Sequence, residues 1–262
     1  MSIPFPVRAI PAVTFRAWLT PPPMGERASE RDRAATAGLT PFLTAEGPGF
    51  EVGSGPLALA VHGWGGRPAQ MLPVAESLAA AGYRVVVPLL PGHAGGDVTD
   101  IKQAAARLEQ IVEAEGMPEL VVAHSFGAMV LRLAFSDTAP RRMVLFAPAL
   151  RVTDALRVFG SRARLLPWAR RGLRRRLESW DRELWPTLSG LHPDQFPGTE
   201  MLLIHDPDDG DTPFRRSAEL AALRANTDLH VAHGVGHSKV LGDVESLGVV
   251  NAWLETEPAG RS

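Results

Sequence analysis

The sequence predicts a doubly wound, mostly parallel α/β sheet interrupted by one helical insertion. Three observations carry that prediction. Apolar runs of strand length (residues 57–61, 84–90, 120–122, 142–147, 200–204 and 228–232) alternate with longer segments of helical period. Several of these runs are followed by glycine-bearing turns, as at His62-Gly-Trp-Gly-Gly66, Pro91-Gly-His-Ala-Gly-Gly96 and Ala123-His-Ser-Phe-Gly127. The rhythm then stops once, from residue 151 to 198, where composition shifts abruptly. Runs without polar alternation are what strands covered on both faces require.

In chain order, residues 1–38 are expected to form an N-terminal extension. Pro21-Pro-Pro23 is a stiff break, and Met24 to Ala37 reads as a charged surface helix. Residues 40–52 read as one or two edge strands, punctuated by Gly47-Pro-Gly49 and Gly53-Ser-Gly55. The core is expected to span 39–150 and 199–262. Within it, Pro68 to Ala81 spaces Met71, Leu72, Ala75, Leu78 and Ala79 helically and closes on Gly82, a residue suited to the C′ position. Thr99 to Glu115 predicts a helix stopped by Gly116 and Pro118, and Ala128 to Phe135 predicts the next. Further helices are expected at 214–224 and 244–254.

Bulk properties narrow the class. A chain of 262 residues suffices for one large α/β domain with a well-buried core. A net charge of −2 gives no global reason to expect nucleic acid or an anionic membrane as partner. The absence of cysteine excludes disulfides and thiolate metal sites. No apolar run approaches the roughly 20 residues of a membrane span, and the first residues lack the basic and apolar regions of a secretory signal. The expectation is a soluble cytoplasmic protein, monomeric or homodimeric, without stable membrane insertion.

The chemistry centres on residues 119–135. A short buried strand turns sharply through Ala123-His-Ser-Phe-Gly127 into a helix, the context that gives a G-x-S-x-G serine its meaning. Strand and helix backbones nearly touch in such a turn, so small residues are needed on both sides; Gly127 meets that need, and Ala123 stands where the first glycine would be. A serine hydroxyl is too weak an acid to attack at neutral pH without a base and a group to orient that base. In a doubly wound sheet these must sit in loops at the carboxyl ends of strands. Two downstream loops qualify: His205-Asp-Pro-Asp-Asp-Gly-Asp-Thr-Pro213 and Gly236-His237. The chain order is serine, acid, histidine. Asp206, Asp208, Asp209 and Asp211 all compete for the acid. As a cation site the cluster is badly spaced, because counting from Asp206 the glycine falls at position 5 and Ser217 at position 12 of an EF-hand loop.

Together, His62-Gly-Trp-Gly-Gly66, the serine turn, the acid loop and Gly236-His237 resemble the α/β-hydrolase superfamily over residues 55–255. That resemblance implies an α/β-hydrolase fold with a helical cap, and Ser125, Asp209 and His237 as a catalytic triad. The family's H-G-x-x-D-x-x-V-P pattern selects Asp209, with Thr212-Pro213 replacing Val-Pro; Asp208 is the runner-up, and Asp206 stands where the family usually has glycine. His237 is preferred among the eight histidines because it follows a glycine in the loop after the last strand. His205 is assigned to support the acid loop, His124 to the variable elbow position, and His93 to a loop resembling the family's P-G-H-G. Oxyanion donors are expected at the backbone N–H of Phe126, the residue after the nucleophile, and of Trp64, by the family's H-G-x pattern.

The insertion at 151–198 holds ten arginines, no lysine and five acidic residues. It is expected to cap the sheet edge, with Trp168, Trp180 and Trp185 walling an apolar acyl pocket. Its arginine run reads first as a solvated helix face, or else as a surface for anionic substrates or phospholipid. The implied activity is a serine hydrolase acting on a carboxylic ester or related acyl compound, with no cofactor and no metal. The alternatives are thioesterase, lipase, acyltransferase, C–C hydrolase or cofactor-free peroxidase chemistry, or a non-catalytic small-molecule binding module.

Overall fold

The computed structural model describes residues 12–22, 40–44, 47–93, 95, 97–136 and 138–256. The charged helix expected at 24–37 lies outside them. Among the described residues eight strands form one sheet: β1 (Thr40–Thr44), β2 (Gly47–Val52), β3 (Leu57–Val61), β4 (Arg84–Pro88), β5 (Leu120–His124), β6 (Arg142–Phe146), β7 (Glu200–His205) and β8 (Thr227–Val231). Their spatial order is β1-β2-β4-β3-β5-β6-β7-β8. At one end of the sheet two pairings are antiparallel, β1 to β2 and β2 to β4, and all other pairings are parallel.

Helices cover both faces. They are α1 (Ala12–Trp18), α2 (Leu72–Ala80), α3 (Ile101–Glu115), α4 (Phe126–Ala134), α5 (Val152–Arg162), α6 (Pro167–Trp180), α7 (Leu184–Ser189), α8 (Phe214–Leu223), α9 (Gly236–Lys239) and α10 (Val244–Glu255). Alternation along the strands divides the core in two. Leu59, Val61, Val121, Ala123, Met143, Leu145 and Leu203 pack against α3, α4 and α8. Ala58, Ala60, Val122, Val144, Phe146, Leu202 and Ile204 face the other way, against α2 and α10.

Three helix starts differ from the sequence reading, each for a local reason. The segment from Pro68 opens as a 3-10 turn, Pro68–Met71, before α2 begins. Pro73 at the second position of α2 has no N–H, which costs nothing in a first turn but fixes where that turn starts. Helix α3 begins at Ile101 rather than Thr99, because Asp100 and Gln103 form a reciprocal capping box. Helix α4 begins at Phe126, two residues early, because Ser125 alone completes the turn out of β5.

Helices α5, α6 and α7 occupy the stretch where the α/β alternation stops. Leu156, Leu173 and Leu177 form their shared core. Val152 and Leu188 pack onto Met129 of α4, with Phe126 and Trp185 alongside, so this unit rests on the helix that follows the serine. Buried Arg132 of α4 fastens it: the guanidinium donates to the Leu150 carbonyl (2.9 Å), to Gln195 Oε1 (2.8 Å) and to the carbonyls of Thr187 and Gly190. Among the described residues no helix is long and apolar enough to cross a membrane.

Candidate active site

Ser125 sits at φ 51°, ψ −115°, a conformation that a non-glycine residue holds only when its surroundings impose it. They do so through three backbone bonds. The Ser125 N–H donates to the Phe146 carbonyl at 3.0 Å, and its own carbonyl accepts from Ala128 (3.1 Å) and Ala149 (3.0 Å). The turn is also tight. A methyl group at Gly127 would lie 2.8 Å from the carbonyl oxygen of Val61, and one at Gly63 would lie 3.1 Å from the Ser125 Cβ. The glycine-rich loop after β3 therefore lies directly against the serine.

Three loops meet at the carboxyl edge of the sheet. The Ser125 hydroxyl donates to His237 Nε2 at 2.9 Å, and His237 Nδ1–H donates to Asp209 Oδ2 at 2.7 Å. Asp209, whose side chain is wholly enclosed, is saturated with donors. Oδ1 accepts the N–H groups of Asp211 (2.7 Å) and Thr212 (3.1 Å), and Oδ2 also accepts the Thr212 hydroxyl (2.8 Å). Burial alone would raise this carboxyl's pKa, but His205 and His237, with the Asp211 N–H, outweigh it and hold the group well below the ordinary carboxylate range. The runner-up Asp208 is exposed and lends only its N–H, to Asp206 Oδ1.

Two residues assigned lesser parts by the sequence hold His237 in place. Asp206 accepts the Gly236 N–H at 2.6 Å, tying the acid loop to the short helix α9 that carries His237. Burial works to raise its pKa, and the N–H groups of Gly236, Asp208 and Val235 overcome this and lower it. His124 donates from Nε2–H to the His237 carbonyl at 2.9 Å. Its pKa is pushed down to about 3, by burial first and by the facing His237 second, so it is the neutral tautomer. The sequence did carry a signal for Asp206, an acid where glycine is usual. It carried none for His124. His205 lies under the acid loop as expected, 3.3 Å from Asp209 Oδ2, with its other nitrogen 2.7 Å from the Ser217 hydroxyl.

Phe126 occupies the first position of α4, where the backbone N–H has no intrahelical acceptor. The Trp64 ring meets that of Phe126 edge-on at 5.0 Å and that of His93 at 5.2 Å. The two residues expected to supply oxyanion donors are thus neighbours. His62 shapes the loop between them: Nδ1–H donates to the Gly63 carbonyl (2.9 Å), and Nε2 accepts the Leu90 N–H (3.1 Å).

The tryptophans of the insertion depart from expectation. Trp168 and Trp180 stand at the outer surface, 58% and 46% exposed, and do not converge on Ser125. Trp180 meets Phe15 of α1 instead, with ring centroids 5.9 Å apart. Only Trp185 lies inward, packed with the cluster that includes Met129 and Phe126. For Trp168 the physical reason is register. Ala169, Leu173 and Leu177 form the buried stripe of α6, and Trp168 falls on the opposite side. Of possible cation ligands, Asp209, Asp211 and His237 bring donor atoms within 4.8 Å of one another, but Asp209 Oδ2 is already taken by the imidazole.

A strained serine at a strand-to-helix turn, in this sheet order, defines a fold class, and sequence comparison gives the family. Residues 58–245 match the model of the alpha/beta hydrolase family, and the chain belongs to it. It is similar in structure to the esterase Pf2001 of Pyrococcus furiosus, at 18% identity and a TM-score of 0.64, over 90% of this chain and 98% of that one. It is also similar to MGS-MChE2, an alpha/beta hydrolase from the metagenome of Mar Chica lagoon sediments (17%, 0.61, 82% and 98%). A bromoperoxidase of Bacillus anthracis matches at 14% identity and a TM-score of 0.59, over 84% of this chain and all of that one. Likeness at these identities is likeness of fold. No curated protein matches the sequence.

Proposed function

We propose that the protein is a serine hydrolase of carboxylic esters or related acyl compounds, with Ser125 as nucleophile, His237 as base and Asp209 as the orienting acid. One observation carries this reading: the continuous hydrogen-bonded path from Ser125 Oγ through both ring nitrogens of His237 to Asp209. In the reaction, Ser125 Oγ attacks the substrate carbonyl carbon as its proton passes to His237 Nε2. Asp209 keeps the proton on Nδ1 and offsets the imidazolium charge. The tetrahedral oxyanion accepts hydrogen bonds from the N–H groups of Phe126 and Trp64, each worth about 10²–10³ in rate. His237 then protonates the leaving oxygen as the carbonyl–oxygen bond breaks, leaving an acyl group on Ser125. Water gives a proton to Nε2 and attacks the acyl carbon. The acid departs, and the proton returns to Oγ.

A fluorophosphonate probe tests the reading, because it phosphonylates only an activated serine. The wild type is expected to label, and Ser125→Ala and His237→Ala to remain unlabelled. Asp209→Asn is expected to lower turnover of aryl esters by about 10⁴, through the wrong imidazole tautomer. Labelling that survives Ser125→Ala, or ester turnover unchanged in Asp209→Asn, would overturn it.

A further inference from the structure

Helices α5 and α6 make a hairpin whose connecting corner, residues 163–168, is an unusual surface. Leu166 is 59% exposed, and Trp168 stands beside it at the start of α6. Large apolar side chains left this open next to one another call for an explanation. Their surroundings are cationic. Arg164 precedes them, and Arg171 and Arg175 extend the outward stripe from Trp168 at helical spacing, all three exposed. Other arginines of the segment are occupied within the fold: Arg162 pairs with Asp211, Arg174 lies over Trp185, and Arg176 lies over Phe15.

Charge is segregated on the scale of the whole molecule. Residues 151–198 carry a surplus of five positive charges in a chain of net −2, so the remainder carries −7. The cationic segment is thus the part of the chain whose charge favours a polyanion. Two polyanionic surfaces fit such a field, nucleic acid and an anionic bilayer. The apolar side chains choose between them. Leu166 gains nothing against a phosphate backbone, whereas leucine and tryptophan beside arginines are the composition that seats at a headgroup boundary.

We propose that the α5–α6 corner docks peripherally on anionic phospholipid surfaces, with Leu166 and Trp168 entering the interface and Arg164, Arg171 and Arg175 meeting phosphate groups. The corner is coupled to the candidate site. Arg162, the last residue of α5, holds Asp211, two positions beyond Asp209. Docking therefore brings the acid-loop end of the sheet to the lipid surface. Joined to the hydrolase reading above, on which this last step rests, it makes amphiphilic acyl esters held in a bilayer the substrate class.

The test uses the full chain carrying Ser125→Ala, so that binding is read without turnover. Co-sedimentation with phosphatidylcholine vesicles is compared with and without phosphatidylglycerol. The expected result is at least about tenfold stronger binding to the anionic vesicles, weakening as salt rises. Arg171→Gln with Arg175→Gln should lose about tenfold or more, since each arginine near an anionic leaflet contributes about fivefold. Leu166→Ser with Trp168→Ser should also release the protein. Thermal transitions of both double variants verify folding, and the single changes Arg175→Gln and Trp168→Ser stand in for a pair that melts early.

Binding indifferent to phosphatidylglycerol, or insensitive to both pairs, overturns the proposal. So does tighter retention on double-stranded DNA that Leu166→Ser and Trp168→Ser leave unchanged, which would make the corner a nucleic-acid site. With active enzyme, a long-chain ester should turn over faster in anionic than in neutral vesicles. Docking without that gain overturns the substrate assignment alone, and docking by a protein inert to fluorophosphonate overturns the hydrolase reading alone.

Discussion

The Nε2–H of His124 donates to the main-chain carbonyl of His237 across 2.9 Å, while the amide just before His237 is taken by Asp206 at 2.6 Å. The imidazole is thus fixed through its own backbone from two sides, independently of its bonds to Ser125 and Asp209. His124→Phe keeps the ring volume and removes the donor. Turnover is expected to fall about five- to tenfold with KM little changed, the worth of one buried neutral hydrogen bond. His124→Gln, which still donates, should retain most of the activity. Steady-state kinetics on an aryl ester make the comparison, and equal losses in both variants would refute the positioning role.

Asp206 predicts a larger effect, because its bond is charge-assisted. Asp206→Ala should free α9 and lower kcat by about 10–100-fold, the scale of a small displacement of a catalytic group. Substrate affinity has no reason to change. Asp206→Gly, which restores the residue usual in the family, separates the two ideas: if glycine is as active as aspartate, the tie to Gly236 is dispensable.

The buried histidines make the fold sensitive to acid. Burial, then the facing imidazoles, lower the pKa of His62 and of His124 from 6.5 to about 3. Between those values the unfolded chain binds protons that the native state refuses, so stability is lost as pH falls through that window. The urea midpoint is expected to be lower at about pH 5 than at about pH 7, and His124→Phe should shrink that difference. An unchanged difference would count against a neutral His124.

Two glycines predict opposite signs. Gly127→Ala drives a methyl group into the Val61 carbonyl and should cost about 1–3 kcal/mol and disturb the serine turn. Gly248 lies inside α10 with nothing within 4 Å of an added methyl, and Gly248→Ala should stabilise by about 0.4–1 kcal/mol. Denaturant unfolding of the pair decides both.

Arg132 is a buried cation that donates to carbonyls and to a side-chain amide, and burial lowers its pKa to about 10. Arg132→Met should destabilise by about 2–4 kcal/mol, because the carbonyls it serves are left without donors. Arg132→Lys should not rescue, since one ammonium cannot reach all the directions the planar guanidinium spans. Calorimetric unfolding of both variants checks this.

Sequence patterning made the sheet legible because strands buried on both faces must be apolar throughout, and the helices between them must show their period. The serine turn was legible for a related reason: Gly127 is forced by a carbonyl 2.8 Å from where its Cβ would be. What stayed hidden were contacts between loops. Nothing in the residues near His124 says that its ring reaches a carbonyl 113 positions away. The orientation of Trp168 was missed for a different reason: the size and apolar character of a tryptophan suggest a pocket wall, but the inward stripe of α6 is set by Ala169, Leu173 and Leu177, and Trp168 lies off it. There the three small or aliphatic residues of α6 decided, and Trp168 followed, whereas Trp180 lies in line with them at the very end of the helix.

The sheet order has a consequence for how the molecule is made. Ser125 emerges after the fifth strand, but His237, 112 positions later, can reach it only once the eighth strand has joined the edge. On the proposed hydrolase reading, a chain stalled before its last strand docks lacks the imidazole that Ser125 needs. Recovery of turnover after dilution from denaturant therefore times the final long-range pairing, and should lag behind the return of helical ellipticity.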